Sequence, residues 1–126
     1  MSVSAETLVR NFLGAWVEPR AEEIGSFFAK DAVWLDGPQG VRQGRQSITD
    51  ELMNQLRTAQ PMRVEILTLV AAGPTVMVEW RGSGQIAGRR ISTSVMAAFE
   101  IDEAGLIRRF SECYDLQSMS KQVAEG

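Results

Sequence analysis

The stretch Phe28-Ala29-Lys30-Asp31-Ala32-Val33-Trp34-Leu35-Asp36-Gly37-Pro38 decides how this chain folds. It leaves an amphipathic helical segment, turns through Lys30-Asp31, and runs on as a short apolar strand. It ends on a carboxylate just before a Gly-Pro turn. Strand alternation sends Trp34 and Asp36 to one face and Val33 and Leu35 to the other. A carboxylate beside a tryptophan on one face either meets water or sits in a pocket.

Upstream, Ser4 is placed to cap a first helix, with Glu6 in its first turn. Leu8, Val9, Phe12, Leu13, Trp16 and Val17 form one apolar helical face. Pro19 closes that helix, and Ile24, Phe27 and Phe28 give a second, shorter one. Downstream, Gly44 starts a third helix whose apolar face is Ile48, Leu52, Met53 and Leu56, and Pro61 marks its exit. From Met62 the period changes to strict alternation. Val64, Ile66, Thr68 and Val70 share one strand face, and Gly73-Pro74 turns the chain. Val76, Val78 and Trp80 share a face of the next strand, which Gly82-Ser83-Gly84 weakens or bulges. After a hairpin turn at Ala87-Gly88, Thr93, Val95, Ala97 and Phe99 line up. After Asp102 to Gly105, a last strand to about Leu116 puts Arg108, Phe110, Glu112 and Tyr114 on one face. The tail from Gln117 is polar and expected to fray.

Helices first and strands afterwards make this an α+β chain, with three N-terminal helices on a strongly curved antiparallel sheet. With no repeat or linker, residues 1–126 read as a single domain. The second sheet face carries Leu67, Leu69, Met77, Met96 and Ala98. That predicts a homodimer formed through the outer sheet face.

Bulk composition removes several functions. The net charge is -3, against a nucleic-acid partner. No apolar run approaches the roughly 20 residues of a membrane span, so no membrane partner is expected. The N-terminus lacks the basic start and apolar segment of a signal peptide, and Cys113 is the single cysteine. Both point to a cytoplasmic protein. There is no histidine, which removes His triads, His-ligated metals and His acid-base catalysis. No cluster has metal-ligand spacing and no glycine loop fits a dinucleotide, so neither metal nor cofactor is expected. Acid-base chemistry falls to Asp, Glu, Tyr, Lys or Cys113.

The order of elements resembles the nuclear-transport-factor-2-like superfamily. The residues that carry the likeness are Ala32-Val33-Trp34-Leu35-Asp36-Gly37-Pro38 and Gly44-Arg45-Gln46-Ser47-Ile48. The superfamily includes SnoaL-like polyketide cyclases, limonene-1,2-epoxide hydrolases and ketosteroid isomerases. The resemblance implies a cone-shaped, cystatin-like α+β barrel around an apolar pocket, usually a homodimer. Trp34, Asp36 and Pro38, with Glu112-Cys113-Tyr114-Asp115-Leu116, look closest to the limonene-epoxide-hydrolase branch. By that match Glu112 stands where the water-activating acid stands. The branch's Arg and Asp fall on Trp80 and Gly82, with Arg81 one residue out of phase unless the strand bulges. By the ketosteroid-isomerase match Asp36 is the proton-shuttling base, while the oxyanion-hole positions hold Phe12 and Ala97, which donate nothing.

The catalytic candidates are therefore Asp36 and Glu112. Asp36 could equally form the turn before Gly-Pro. Glu112 could pair with an arginine in water, but its strand-mates Phe110 and Tyr114 are aromatic. Phe12, Trp16, Trp34, Trp80, Phe110 and Tyr114 are the ligand-binding candidates. Each alone reads as core, and together they shape a pocket for a flat apolar molecule. Arg42, Arg45 and Arg89-Arg90 read as solvated, or Arg45 as a helix-start residue. Cys113 faces away from Glu112.

Two function classes follow. One is a cofactor-independent acid-base enzyme acting on a terpenoid, steroid or polyketide-like molecule, as an epoxide hydrolase or an isomerase. In the hydrolase scheme Glu112 is the ionised base and Asp36 the acid. In the isomerase scheme Asp36 is the base, and Tyr114 or a protonated Glu112 holds the oxyanion. The alternative class is a non-catalytic module that binds hydrophobic ligands.

Overall fold

The computed structural model describes residues 4–57 and 62–125. Pro61, expected at the exit of the third helix, lies outside the described residues. Ser4 caps the first helix: its Oγ accepts the Thr7 N–H at 3.2 Å. This helix, α1 (Ala5–Gly14), buries Val9, Phe12 and Leu13. It ends at Gly14; Trp16, just beyond, still packs edge-on against Phe12 at 6.4 Å, while Val17 stays 50% exposed. A second helix, α2 (Ala21–Gly25), buries Ile24. Phe28, expected on that helix, instead opens strand β1 (Phe28–Asp36).

The anticipated turn at Lys30-Asp31 is an irregularity inside β1. Both residues are exposed, and the strand's register shifts between Phe28 and Val33. Extra residues in one strand of a pair push two side chains outward without ending the strand. Beyond it, alternation holds as expected, with Ala32, Trp34 and Asp36 buried. A 3-10 turn (Gly37–Gln39) leads into a short strand, β2 (Val41–Gln43), which pairs antiparallel with β1. The expectation had no strand there, because three residues are too few for a period to show. Gly44 precedes α3 (Arg45–Gln55) with φ 90°, a left-handed conformation that suits glycine. α3 buries Ile48 and Leu52 but leaves Met53 55% exposed. Arg45 holds this start in place by donating from Nε to the Phe28 carbonyl at 2.8 Å.

Four long strands follow: β3 (Arg63–Ala72), β4 (Thr75–Ile86), β5 (Arg89–Ile101) and β6 (Ile107–Cys113). They pair antiparallel in succession. β1 then joins β6 in parallel, giving a six-stranded mixed sheet in the order β2-β1-β6-β5-β4-β3. The bulge expected at Gly82-Ser83-Gly84 is absent, since β4 and β5 pair without a shift through those residues. It falls in β3 instead, between Ile66 and Thr68. One extra residue there reverses the faces. Leu69 turns inward against the core, while Val70, expected inside, is 61% exposed. The chain also does not fray after Gln117. It forms α4 (Leu116–Glu125), which lies on β5.

The core is centred on Phe12. Its ring meets Phe27, Phe28, Phe99 and Phe110 edge-on at centroid distances of 5.4 to 5.6 Å. Phe99 and Phe110 stack at 4.6 Å, and Trp34 lies parallel to Phe110 at 6.1 Å. Such pairs add about 0.5–1.5 kcal/mol each beyond area burial. The outer face leaves Leu67, Val70, Met77 and Met96 between 43% and 64% exposed. No helix of the described residues is long and apolar enough to cross a membrane.

α2 sits against α3 at Gly25, where an added Cβ would collide with Thr49 Oγ1. Gly25→Ala is expected to destabilise the fold by about 1–3 kcal/mol through overpacking. Urea unfolding checks this: the midpoint should fall with the slope unchanged.

Candidate active site

Parallel pairing of β1 with β6 puts Trp34 opposite Phe110 and Asp36 opposite Glu112. Partners in a ladder share a face, so two carboxyl groups arrive side by side on neighbouring strands. β6 ends at Cys113, yet Tyr114 still reaches back over the 3-10 turn. Its ring packs on Gly37, where a Cβ would come within 2.8 Å of Tyr114 Cε1. Gly37 also has φ 51°, so two constraints ask for glycine at that position.

All eight residues expected at a site line one cavity of 130 Å³. Asp36 and Glu112 stand on one wall. Trp34, Phe110 and Tyr114 surround them, and Phe12, Trp16 and Trp80 complete the apolar lining. Arg81 is exposed and takes no part, because the unbroken β4–β5 pairing keeps it on the outer face. Gly82 and Ala97 offer no donor side chain.

The donors reach the carboxyls in a defined pattern. Tyr114 donates its hydroxyl to Asp36 Oδ1 at 2.9 Å and lies 3.2 Å from the Asp36 carbonyl. Gln39 Nε2 donates to the Tyr114 oxygen at 2.6 Å. Gln55 Nε2 donates to Asp36 Oδ2 at 2.9 Å and to Glu51 Oε2 at the same distance. Trp34 Nε1 donates to Glu112 Oε1 at 2.9 Å. Asp36 is 2% exposed. Glu112 keeps some accessible surface, and that surface faces the cavity.

This surrounding sets the protonation of the pair. Burial pushes the Glu112 carboxyl well above the ordinary carboxylate range, and the Asp36 charge and a hydrogen-bonding contact with its carboxyl push it further. The Trp34 N–H opposes the shift, and is outweighed. Glu112 is therefore the carboxyl that its surroundings favour in the neutral form. Tyr114 is also raised, first by burial, so its hydroxyl stays protonated and remains a donor.

Sequence reasoning missed Gln39, Gln55 and the pair behind them. Arg42 was expected in solvent, but its register opposite Trp34 turns it to the helix-covered face. There Arg42 Nη2 lies 3.5 Å from Glu51 Oε2, with both side chains about a fifth exposed. Arg42, Glu51, Gln55 and Asp36 thus form a chain of contacts from β2 through α3 to the cavity. The spacing of Glu51 and Gln55 at i, i+4 placed them on one helix face, but nothing in it said which strand that face meets. Cys113 is exposed, on the sheet face opposite Glu112. Among the described residues, no three Cys, Asp or Glu side chains converge as a metal site requires.

The sequence profile of the SnoaL-like domain matches residues 9–110. No curated protein sequence matches the chain. Among solved structures, a protein of ketosteroid isomerase-like fold from Catenulispora acidiphila, in complex with trimethylamine, is similar at TM-score 0.83 and 22% identity. The match covers 93% of this chain and 92% of that one. An LEH-like epoxide hydrolase of M. tuberculosis is similar at TM-score 0.81 and 22% identity, over 97% of this chain and 90% of its own. The epoxide hydrolase/cyclase-like enzyme SalBIII, of pyran ring formation in the polyether salinomycin, has TM-score 0.78 at 16% identity, over 90% and 92% of the two chains. At such identities these likenesses establish the fold, and chemistry rests on the residues. On the profile match and the sheet described above, the chain belongs to the SnoaL-like domain family and has the nuclear-transport-factor-2-like fold.

Proposed function

We propose that this protein is a cofactor-independent enzyme that moves a proton next to a carbonyl group in a small, largely apolar molecule. The observation that carries the reading is the register pair Asp36–Glu112, two carboxyls on one cavity wall, with burial and the neighbouring Asp36 charge raising the Glu112 pKa. Asp36 is the base. Glu112, protonated and held by the Trp34 N–H, is the acid. Asp36 takes the α-hydrogen, the C–H electrons form the enol double bond, and Glu112 gives its proton or hydrogen bond to the carbonyl oxygen. In a β,γ-unsaturated ketone the resulting dienol takes the proton back from Asp36 at the γ carbon, the C=C bond moves into conjugation with the re-formed carbonyl, and Glu112 recovers its proton; in a saturated ketone the return to the α carbon gives hydrogen exchange.

Geometry favours this over epoxide opening. Water opens an epoxide from the side opposite the leaving oxygen, so acid and base must flank the substrate. Carboxyls on neighbouring strands, about 4.8 Å apart in the backbone, address one side. A carbonyl oxygen and an α-hydrogen sit on adjacent atoms and can both meet one wall. Tyr114 and Gln55 each hold one Asp36 oxygen, which fixes the base in place and supports its negative charge.

Exchange of α-hydrogens of cyclic ketones for deuterium, followed by NMR, tests this directly. Asp36→Asn is expected to slow exchange by about 10²–10⁴-fold. Glu112→Leu should cost about 10²–10³-fold, and Glu112→Gln, still a donor, less. Turnover of epoxides without any ketone exchange would overturn the reading. Ligand binding with turnover of neither would favour the binding-module alternative.

Protonation has its own test in stability. Glu112 has a folded pKa above its unfolded value, so its favourable contribution is complete below the unfolded value and is lost as pH rises through the folded one. Glu112→Gln should therefore be the more stable protein at pH 8, with the gain vanishing near pH 4. Urea midpoints at the two pH values measure it.

A homodimer through the outer sheet face belongs to the same reading, supported by the exposed Leu67, Val70, Met77 and Met96. Sedimentation should give a dimer for the wild type and a monomer for the double variant Met77→Lys, Met96→Lys.

A further inference from the structure

The 130 Å³ cavity at the carboxyls is small for a complete substrate. An apolar cavity of about 150 Å³ takes up benzene, and sites for drug-sized ligands start at about 300 Å³. A second cavity, of 420 Å³, lies directly beyond it beneath α4. The two adjoin: Trp16, Gln39, Gln55, Met62 and Met119 line both.

The roof of this outer cavity is built unlike the rest of the fold. Leu116, Met119 and Val123 fall at i, i+3 and i+7, one apolar face of α4. That face lines the cavity, and no side chain of the helix is fully buried in protein. Polar bonds hold the helix instead. Gln122 Nε2 donates to the Ser92 carbonyl at 2.9 Å, and its Oε1 accepts the Ser92 N–H at 2.8 Å. Asp115 Oδ1 accepts the Ser118 N–H at the start of the helix. A helix anchored by its polar side leaves its apolar face available to a ligand. Across the space, Leu56, Ile86 and Ile91 continue an apolar wall.

We propose that the space beneath α4 is a second compartment of the same site, and that the substrate is a single carbonyl-bearing ring carrying an extended apolar chain. The ring enters the inner cavity, and the chain lies along Leu116, Met119 and Val123. A compact fused-ring skeleton would overfill the inner cavity and leave the outer one unused. The orientation rests on the reading of Asp36 and Glu112 as the reacting end; the existence of the compartment does not.

The test is a series of 2-alkylcyclohexanones, from the unsubstituted ring to a decyl chain, titrated against the protein with affinity read by NMR. Each methylene is expected to tighten binding about fourfold until the compartment is full. Val123→Phe, which fills the outer cavity, should weaken the long-chain ligands by at least about tenfold while cyclohexanone itself is unaffected. Lys121→Phe, on an exposed position of α4, should change neither. An affinity independent of chain length in the wild type overturns the proposal, and so does an equal loss for ring and chain in Val123→Phe. Because the readout is binding, a steep series with no α-hydrogen exchange in any member would uphold the compartment and sink the proton-transfer reading alone.

Discussion

Parallel pairing between β1 and β6 is the constraint from which the site follows. Among the described residues it is the one parallel ladder, its neighbours running antiparallel. The chain must travel through α3 and three long strands before β6 can return beside β1. Once it does, register leaves no freedom. Trp34 lies flat along Phe110, and two residues further on Asp36 must face Glu112. Slipping the pair by one residue would send Trp34 and Asp36 to the outer face and put Val33 and Leu35 into the cavity. The stacked aromatics therefore hold the carboxyls in register: moving the acids apart would first unstack Trp34, Phe110 and Phe99.

Electrostatics then divides labour between two chemically similar groups. Two buried carboxylates side by side resist double ionisation, and the local donors decide which one yields. Asp36 has a donor on each oxygen, from Tyr114 and Gln55, whereas Glu112 accepts the Trp34 N–H on one oxygen. Behind Gln55 stand Glu51 and Arg42, a half-buried ion pair that keeps the amide oriented with both its hydrogens committed. Among the described residues, the buried Arg42 Nε has no hydrogen-bond partner. A pocket with unequal donors can hold an acid and a base together at neutral pH without histidine, a residue this chain lacks altogether.

Legibility in the sequence followed the length of each periodic run. Val76, Val78 and Trp80, and Val95, Ala97 and Phe99, alternate without interruption, and all are buried as their period implied. Phe12 and Leu13 were readable from helical spacing and the Ser4 cap. Errors fell where one residue breaks the phase. The bulge beside Leu67 exchanged Leu69 with Val70, and the irregularity at Lys30-Asp31 looked like a turn. A bulge is a compromise between two strands, and neither strand's own pattern records it. α4 was missed because its apolar residues are few and its anchor, Gln122 on Ser92, joins segments 30 residues apart.

By itself the sequence determined an α+β chain with an aromatic interior, two acids on inward faces, and no histidine for any chemistry to use. These are properties of local alternation and composition, which need no knowledge of neighbours. Only the tertiary structure decided that Asp36 and Glu112 meet, that burial raises the Glu112 pKa, and that Gln55, Glu51 and Arg42 stand in a chain of contacts behind Asp36. It also turned a tail into a roof over a second cavity. Each of those depends on which distant segments lie side by side. Strand register and the desolvation of a carboxyl arise only when separate parts of the chain exclude water together, so neither is written in a local pattern.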